Sequence, residues 1–233
     1  MTAQERTPWD RFLTTEDVAV FAASGYGQRR ELTTPMALLV VDVTYAFTGD
    51  PGLSLLASIE RYPNSCGPAA WAAVEVIQAV LPAVRERGIP VIYTTGASEH
   101  DWLMRRSWGE KHARTPIDAV DPAKANEIVE PIRTGPQDVV IAKTKPSAFF
   151  DTPLRQYLVG HGIRQLAVCG GSTSGCVRAT VVDGFSHGYR VAVLAEATFD
   201  RGEASHAISL FDMQQKYADL ISTDELLAAV TEG

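Results

Sequence analysis

Cysteine is scarce in this chain of 233 residues, which has three: Cys66, Cys169 and Cys176. An odd number of cysteines at these spacings forms neither a zinc-binding pattern nor a disulfide framework, so we expect at least one free thiol. Basic residues are outnumbered as well, since 21 Lys and Arg stand against 28 Asp and Glu and the formal net charge is −7. This balance provides no general attraction for nucleic acid or an anionic membrane surface, and we expect neither as a partner.

Long hydrophobic runs are also missing. Apolar runs such as residues 36–41 are far shorter than the roughly 20 residues that a membrane-spanning helix needs. The polar start TAQERTPWD has no signal-peptide pattern. With 45% hydrophobic residues, the chain can still bury the core of one large domain. We therefore expect a soluble, cytoplasmic protein.

The remaining pattern alternates short β-branched runs with segments of helical period, which is typical of a parallel sheet covered by helices. The predicted strands are 37–42, 90–95, 138–142, 165–169 and 190–194. The predicted helices are 69–87, about 151–160, one that opens at 174 or 176 and closes at 188, 204–218 and 224–231. Pro82 lies inside the first of these helices and predicts a kink or break near Gln78. The expected fold class is α/β, with a doubly wound, Rossmann-like, mainly parallel sheet and helices on both faces.

Two segments fall outside this alternation. Residues 1–35 are predicted to form a peripheral N-terminal arm with a short helix capped by Thr15, which leaves 36–233 as the main domain. Residues 97–117 match neither period and are predicted to form a long loop. A loop of this length is either a functional lid or binding loop, or a solvated excursion, and the sequence leaves both open.

Three polar residues stand where strands of the predicted sheet end. Asp42 and Lys143 each follow an apolar strand, and Cys176 lies at the opening of the helix after strand 165–169. Since ligands bind at the carboxyl ends of parallel strands, a carboxylate, an ammonium and a thiol gathered there could form a nucleophile with its proton acceptor and charge partner. Taken singly, Asp42 could instead be a turn former and Lys143 a solvated strand end.

The three cysteines have different sequence contexts. Cys169 lies inside a predicted strand as a small buried hydrophobe, and Cys66 lies in a Pro- and Gly-rich loop. Cys176 begins a helix, whose unpaired N–H groups are expected to lower the pKa of the thiol. The small residues 170–175 before it could surround a developing oxyanion with backbone N–H groups.

Four segments in this order resemble the isochorismatase-like cysteine hydrolases. They are ALLVVDVTYAF, AKTKPSAFFDTPL, CGGSTSGCVRATVVDGFSHGYR and LFDMQQKYADLISTDELL. The resemblance implies a catalytic triad of Asp42, Lys143 and Cys176, with Lys143 chosen over Lys145 because it lies four residues before the Ser-Ala-Phe element. It also implies a cis peptide before Ser172, with the N–H groups of Ser172 and Cys176 facing the substrate oxyanion.

Within that family, nicotinamidases bind a metal through an Asp-x-His pattern that the sequence after strand 90–95 lacks. We therefore expect no metal and no cofactor, although His100, Asp101 and His112 could meet an ion by chance geometry. The Thr-Ser-Gly-Cys-Val-Arg setting of Cys176 looks most like N-carbamoylsarcosine amidase and maleamate amidase. Isochorismatases proper need no thiol nucleophile, whereas this chain keeps Cys176, so an isochorismatase-type hydrolase is carried only as the alternative.

Those amidases carry an Asp-Arg pair whose arginine binds the substrate carboxylate. The resemblance implies that Asp200 and Arg201 are the corresponding pair in this chain. The alternative is a surface ion pair between Arg201 and Glu203. Phe47 and Trp102 are candidate apolar walls of the substrate site, unless they only pack within the domain.

The resemblance implies a cysteine amidohydrolase that acts on a small amide or ureido substrate with a carboxylate. It also implies a homo-oligomer, expected to be a tetramer. A non-catalytic binding member of the fold and a redox-active thiol protein remain the alternatives from other classes.

Overall fold

The structure, a computed structural model, describes residues 7–97 and 121–232. Its strands are β1 (Met36–Val41), β2 (Val91–Gly96), β3 (Val139–Lys143), β4 (Gln165–Gly171), β5 (Arg190–Phe199) and β6 (Asp219–Ile221). Over the described ranges these six strands form one sheet in the order β3-β2-β1-β4-β5-β6, and every paired neighbour is parallel. The predicted doubly wound α/β fold is confirmed.

Helices cover both faces of this sheet. They are α1 (Thr15–Ala23), α2 (Tyr45–Thr48), α3 (Leu55–Arg61), α4 (Pro68–Glu86), α5 (Pro122–Asn126), α6 (Leu154–Gly160), α7 (Arg178–Ser186), α8 (Glu203–Lys216) and α9 (Thr223–Glu232). Side chains of α4 and α9 pack in the apolar cluster on one face, and those of α6, α7 and α8 pack in the cluster on the other. None of the described helices is long and apolar enough to cross a membrane.

The central strand β1 shows why the sequence folds this way. All six of its residues are buried. Leu38 and Val40 face the cluster that contains α4, whereas Leu39 and Val41 face the opposite cluster. A parallel strand covered on both faces has no solvent side, so it is apolar without interruption.

Of the kink or break predicted near Gln78, the break does not occur, since helix α4 runs without interruption from Pro68 to Glu86 with Pro82 inside it. Buried side chains lie on both sides of the proline, among them Ile77 and Val84. Their packing on the sheet outweighs the local cost of one missing hydrogen bond.

The N-terminal segment also differs from expectation at its helix cap. Thr14, not Thr15, caps α1: its hydroxyl accepts a hydrogen bond from the Asp17 N–H, and the Asp17 carboxylate accepts one from the Thr14 N–H. Helix α1 buries none of its residues, but the Phe21 ring packs edge-on against Phe211 of α8 with centroids 4.8 Å apart. The described part of the predicted arm therefore lies against the main domain.

Strand β6 was not predicted, because three residues are too few to show a strand pattern. Of the predicted loop 97–117, residues 98–117 lie outside the described ranges, and Trp102 lies there too.

Candidate active site

The strand order reverses between β1 and β4, and a doubly wound sheet opens a crevice at such a point. Val41, at the end of β1, pairs with Gly170 near the end of β4. Asp42 and the turn that begins after β4 therefore leave the sheet side by side at its carboxyl edge. Lys143 ends β3 at the same edge.

Asp42 and Lys143 form a buried ion pair across the intervening strand β2. Lys143 Nζ lies 2.6 Å from Asp42 Oδ2, and the two side chains are 5% and 3% exposed. The hydroxyl of Thr94, on β2, donates a 2.7 Å hydrogen bond to Asp42 Oδ1. Both carboxylate oxygens thus have a partner, as a buried charge requires.

The backbone of Asp42 is unusual as well as its side chain. Its φ is +50°, in the left-handed region that residues other than glycine rarely adopt. Its N–H donates to the Thr94 hydroxyl at 3.1 Å. Thr94 therefore holds both the backbone and the carboxylate of Asp42, and such over-determined conformations cluster at functional sites.

Lys143 is oriented by its charge partners. Burial alone would lower the pKa of the Lys143 ammonium, but the Asp42 carboxylate and the Cys176 thiol raise it, and the net pKa is raised. The ammonium also donates to the Lys145 carbonyl at 3.1 Å. Lys143 is therefore a fixed positive charge between the carboxylate and the thiol.

Cys176 joins this pair from the other side of the switch point. It lies in a π-helical turn, Thr173–Val177, that leads from β4 into α7, and it is 9% exposed. Its thiol interacts with both Asp42 and Lys143, and these interactions contribute to its pKa. The structure thus brings together the three residues predicted as the triad.

The pKa of the Cys176 thiol corrects the expectation from its position at a helix start. Burial raises this pKa, the neighbouring Asp42 carboxylate raises it further, and the Lys143 ammonium opposes them only in part. The raised pKa favours the thiol of Cys176 over a preformed thiolate at neutral pH. Desolvation of the sulfur outweighs the partial charge of the turn.

The turn that carries Cys176 is tightly built. The Gly171–Ser172 peptide is cis, as the family resemblance implied. The Ser172 carbonyl accepts hydrogen bonds from the N–H groups of Gly175 at 3.0 Å and Val177 at 3.2 Å. Ser172 and Cys176 therefore lie at the two ends of one compact loop.

The lysine-bearing segment also contacts the helix that follows this turn. The Ala148 N–H, five residues after Lys143, donates a 3.0 Å hydrogen bond to the Thr180 hydroxyl on α7. This bond ties the Ser-Ala-Phe element directly to the helix behind Cys176.

Arg201 follows β5 at the same edge of the sheet. Its guanidinium donates a 2.6 Å hydrogen bond to the Asn64 carbonyl and lies 3.9 Å from Asp200 Oδ1. The alternative prediction, an ion pair between Arg201 and Glu203, is not found. Glu203 forms an ion pair with Arg11 instead.

Cys66 and Phe47 lie on the same side of the site as Arg201. Burial raises the pKa of the Cys66 thiol to about 12, and its interaction with Arg201 opposes the rise. The Cys66 N–H donates to the Phe47 carbonyl at 2.8 Å. The Phe47 ring is half-buried against the core, so Phe47 packs within the domain on the side of the site where Arg201 lies.

The isochorismatase domain family matches residues 36–225, which include all of these positions. The chain belongs to the isochorismatase family. The maleamate amidohydrolase of Pseudomonas putida is 30% identical over 87% of this chain and 90% of its own length. The N-carbamoylsarcosine amidase of an Arthrobacter species is also 30% identical, over 87% of this chain and 72% of its own length. A cysteine hydrolase structure from Pseudomonas syringae pv. phaseolicola shares the fold, with a TM-score of 0.73 at 21% identity over 88% of this chain and 96% of that one.

Metal ligation is one point on which members of this family were expected to differ. Among the described residues, no group of three or more His, Cys, Asp and Glu side chains is arranged to hold a metal ion. The three residues considered for chance metal binding, His100, Asp101 and His112, lie outside the described ranges.

Several contacts of this family member's site were not predicted, although Asp200 was noted as the neighbour of Arg201. Thr94 holds Asp42, and two further residues hold the turn that carries Cys176: Asp200 accepts hydrogen bonds from Ser174, and His206 is 2.8 Å from the Thr173 hydroxyl. The only sequence signal of Thr94 was its position near the carboxyl end of a strand, and that of Asp200 was its place in the Asp-Arg pair after β5. His206 lies on α8 and carried no such signal.

Proposed function

We propose that this protein is a metal-independent cysteine amidohydrolase that releases ammonia from a small, carboxylate-bearing primary amide or N-carbamoyl compound. The observation that carries the proposal is the buried Asp42–Lys143 pair, with a 2.6 Å Nζ–Oδ2 distance, both members of which interact with the Cys176 side chain. A thiol of this kind needs a proton acceptor within reach, and Asp42 supplies it.

The first half of the reaction breaks the C–N bond. The Cys176 proton passes to Asp42 as the sulfur attacks the amide or ureido carbon, and Lys143 compensates the charge that moves between them. The tetrahedral oxyanion faces the N–H groups of Ser172 and Cys176. When it collapses, the C–N bond breaks, the leaving nitrogen takes the proton from Asp42, and ammonia departs from an acyl- or carbamoyl-thioester.

The second half restores the enzyme. A water molecule attacks the thioester carbon while Asp42 accepts its proton. The C–S bond breaks, the acid product leaves, and the proton returns from Asp42 to the Cys176 sulfur. One carboxylate thus acts as base, then acid, in each half.

Arg201 and the names of two relatives both support a substrate that carries a carboxylate. Arg201 is the cation that follows β5 beside the site, and its planar guanidinium suits a carboxylate. Two relatives are named for maleamate and N-carbamoylsarcosine. Phe47 and Trp102 would supply apolar walls, and we propose that the working form is a homo-oligomer, a tetramer.

The test is an ammonia-release screen over N-carbamoyl amino acids, maleamate, nicotinamide and simple ureas, run with and without EDTA. We expect turnover of carboxylated substrates that survives chelation and disappears in Cys176→Ala. Activity that needs added zinc or manganese would place the protein with metal-dependent nicotinamidases. Ammonia release from none of the substrates would favour a non-catalytic binding protein, and disulfide mapping after peroxide treatment would then test a redox role for Cys176.

A further inference from the structure

A second buried carboxylate lies at the site, and the proposed reaction does not use it. The side chain of Asp200, the residue after β5, is 2% exposed. Its Oδ2 accepts hydrogen bonds from both the N–H of Ser174 at 2.8 Å and the hydroxyl of Ser174 at 2.6 Å. Its Oδ1 accepts one from the Arg201 N–H at 2.8 Å. This carboxylate therefore joins the end of β5 to the turn that carries the nucleophile.

Thr173, the residue before Ser174 in the turn, also has a hydrogen-bond partner outside the turn. The Thr173 hydroxyl lies 2.8 Å from Nδ1 of His206, on α8. Thr173 is fully buried, whereas Ser174 is exposed and has Asp200 as its anchor. Two consecutive residues of the turn are thus bonded to elements outside it.

The positions of Thr173 and Ser174 determine where the proposed oxyanion donors lie. Ser172 and Cys176, whose N–H groups are to bind the oxyanion, stand at either end of the segment that contains Thr173 and Ser174. A shift of Ser174 changes the spacing and direction of the two donors. Oxyanion stabilisation depends on donors fixed in advance, and a displacement of about 1 Å can cost about a hundredfold in rate.

We propose that Asp200 is a positioning residue that fixes the Ser172 to Cys176 turn in its catalytic geometry, with His206 as the second anchor. The inference rests on the proposed amidohydrolase function. Through its other oxygen, Asp200 also sets the backbone of Arg201, so one carboxylate aligns both the oxyanion donors and the arginine assigned to the substrate carboxylate.

The test compares kcat and KM for maleamate and for the uncharged maleamide in Asp200→Asn. Asparagine keeps the size of the side chain but has one acceptor oxygen only, so its NH2 group opposes the backbone N–H of either Ser174 or Arg201. We expect kcat to fall about 10- to 100-fold on both substrates, because the oxyanion donors of the turn serve a substrate with or without a carboxylate. KM for maleamide should stay within about threefold of the wild-type value.

Matched variants separate positioning from stability. Asp219, at the amino end of β6, is an equally buried carboxylate that accepts hydrogen bonds from Arg30, and it lies at the opposite edge of the sheet. Asp219→Asn should lower the melting temperature and leave kcat within about twofold. Ser174→Ala, at an exposed position, should lower kcat by a smaller factor than Asp200→Asn, and Ser174→Thr, which keeps the hydroxyl, should recover most of that loss. If Asp200→Asn matched Asp219→Asn in both quantities, or Ser174→Ala left kcat unchanged, the positioning role would be wrong.

A second measurement does not depend on turnover. The rate of Cys176 alkylation by iodoacetamide at pH 8.5, followed by peptide mass spectrometry, reports on the position of the turn even if the wild-type protein hydrolyses neither substrate. We expect Asp200→Asn to change this rate at least severalfold and Asp219→Asn to leave it unchanged. No turnover by the wild type together with this change in labelling would refute the proposed function but not the positioning role. An unchanged labelling rate in Asp200→Asn would refute the positioning role.

Discussion

Lys143 reaches Asp42 from two strands away, and its ammonium nitrogen lies 2.6 Å from the carboxylate with neither side chain more than 5% exposed. A buried ion pair of this kind is worth less as an attraction than the cost of leaving one partner alone. Its removal should therefore affect stability and activity in different ways.

Lys143→Met leaves the Asp42 carboxylate buried without its cation, and we expect the free energy of unfolding to fall by about 3–5 kcal/mol. The double variant with Asp42→Asn should lose less than the sum of the two single variants, since no lone charge remains. Urea denaturation of the four proteins measures this coupling. Strictly additive losses would show that the two side chains do not interact in solution. All three variants should lack amidase activity.

The raised pKa of the Cys176 thiol predicts a steep pH dependence of alkylation. Because the folded-state pKa lies above the ordinary value, the thiolate is a small fraction at neutral pH and should increase about tenfold per pH unit between pH 7 and 9. Cys176 should be labelled before Cys66 and Cys169, since it is 9% exposed against 1% and 0%. Iodoacetamide labelling with free cysteine as the internal standard measures the profile. A plateau below pH 8 would mean a preformed thiolate.

Two glycines give a matched pair of stability predictions. A Cβ at Gly170, where φ is +102°, would lie 2.1 Å from the Val41 carbonyl oxygen, whereas a Cβ at Gly160 meets nothing within 4 Å. We expect Gly170→Ala to cost about 3 kcal/mol or more and Gly160→Ala to be neutral or stabilising by up to about 1 kcal/mol. Thermal denaturation compares them. Equal melting temperatures would show that β4 can move away from β1.

The juxtaposition of Asp42, Lys143 and Cys176 could be predicted because the first two follow or end strands, the third lies in the turn after β4, and all three match family segments. Thr94 could not be predicted, because its role depends on β2 lying between β1 and β3, and strand order is not written in the local pattern. The pKa of Cys176 was misjudged for a related reason. The turn was visible in the sequence, but the burial of the sulfur beside Asp42 depends on how distant segments pack.

Predictions made from local sequence patterns were wrong or incomplete where tertiary packing decides the structure. Pro82 predicted a break in α4, yet the buried side chains around it keep the helix continuous. Strand β6 has three residues and exists because β5 offers it a partner edge. Asp200 drew attention only as the neighbour of Arg201, and its bonds to Ser174 required the three-dimensional structure.

The guanidinium of Arg201 donates a hydrogen bond to the Asn64 carbonyl. We propose that it also binds the substrate carboxylate. A charge-assisted hydrogen bond of this kind is typically worth about 1.5–3 kcal/mol. Arg201→Ala should therefore lower kcat/KM for a carboxylated substrate by about 10- to 100-fold, mainly through KM. Arg201→Lys should recover only part of the loss, because an ammonium cannot offer two parallel donors.

The control for Arg201 is an uncharged analogue of the same substrate, with an amide in place of the carboxylate. Its turnover should be poor in the wild type and nearly unchanged in Arg201→Ala, because the interaction that the variant removes is absent from the start. Since the side chain is partly exposed and also holds the 64–66 segment, a purely structural role would slow both substrates equally and lower the melting temperature. Equal losses on the acid and on its uncharged analogue would thus assign Arg201 to the architecture of the site and remove the argument for a carboxylated substrate.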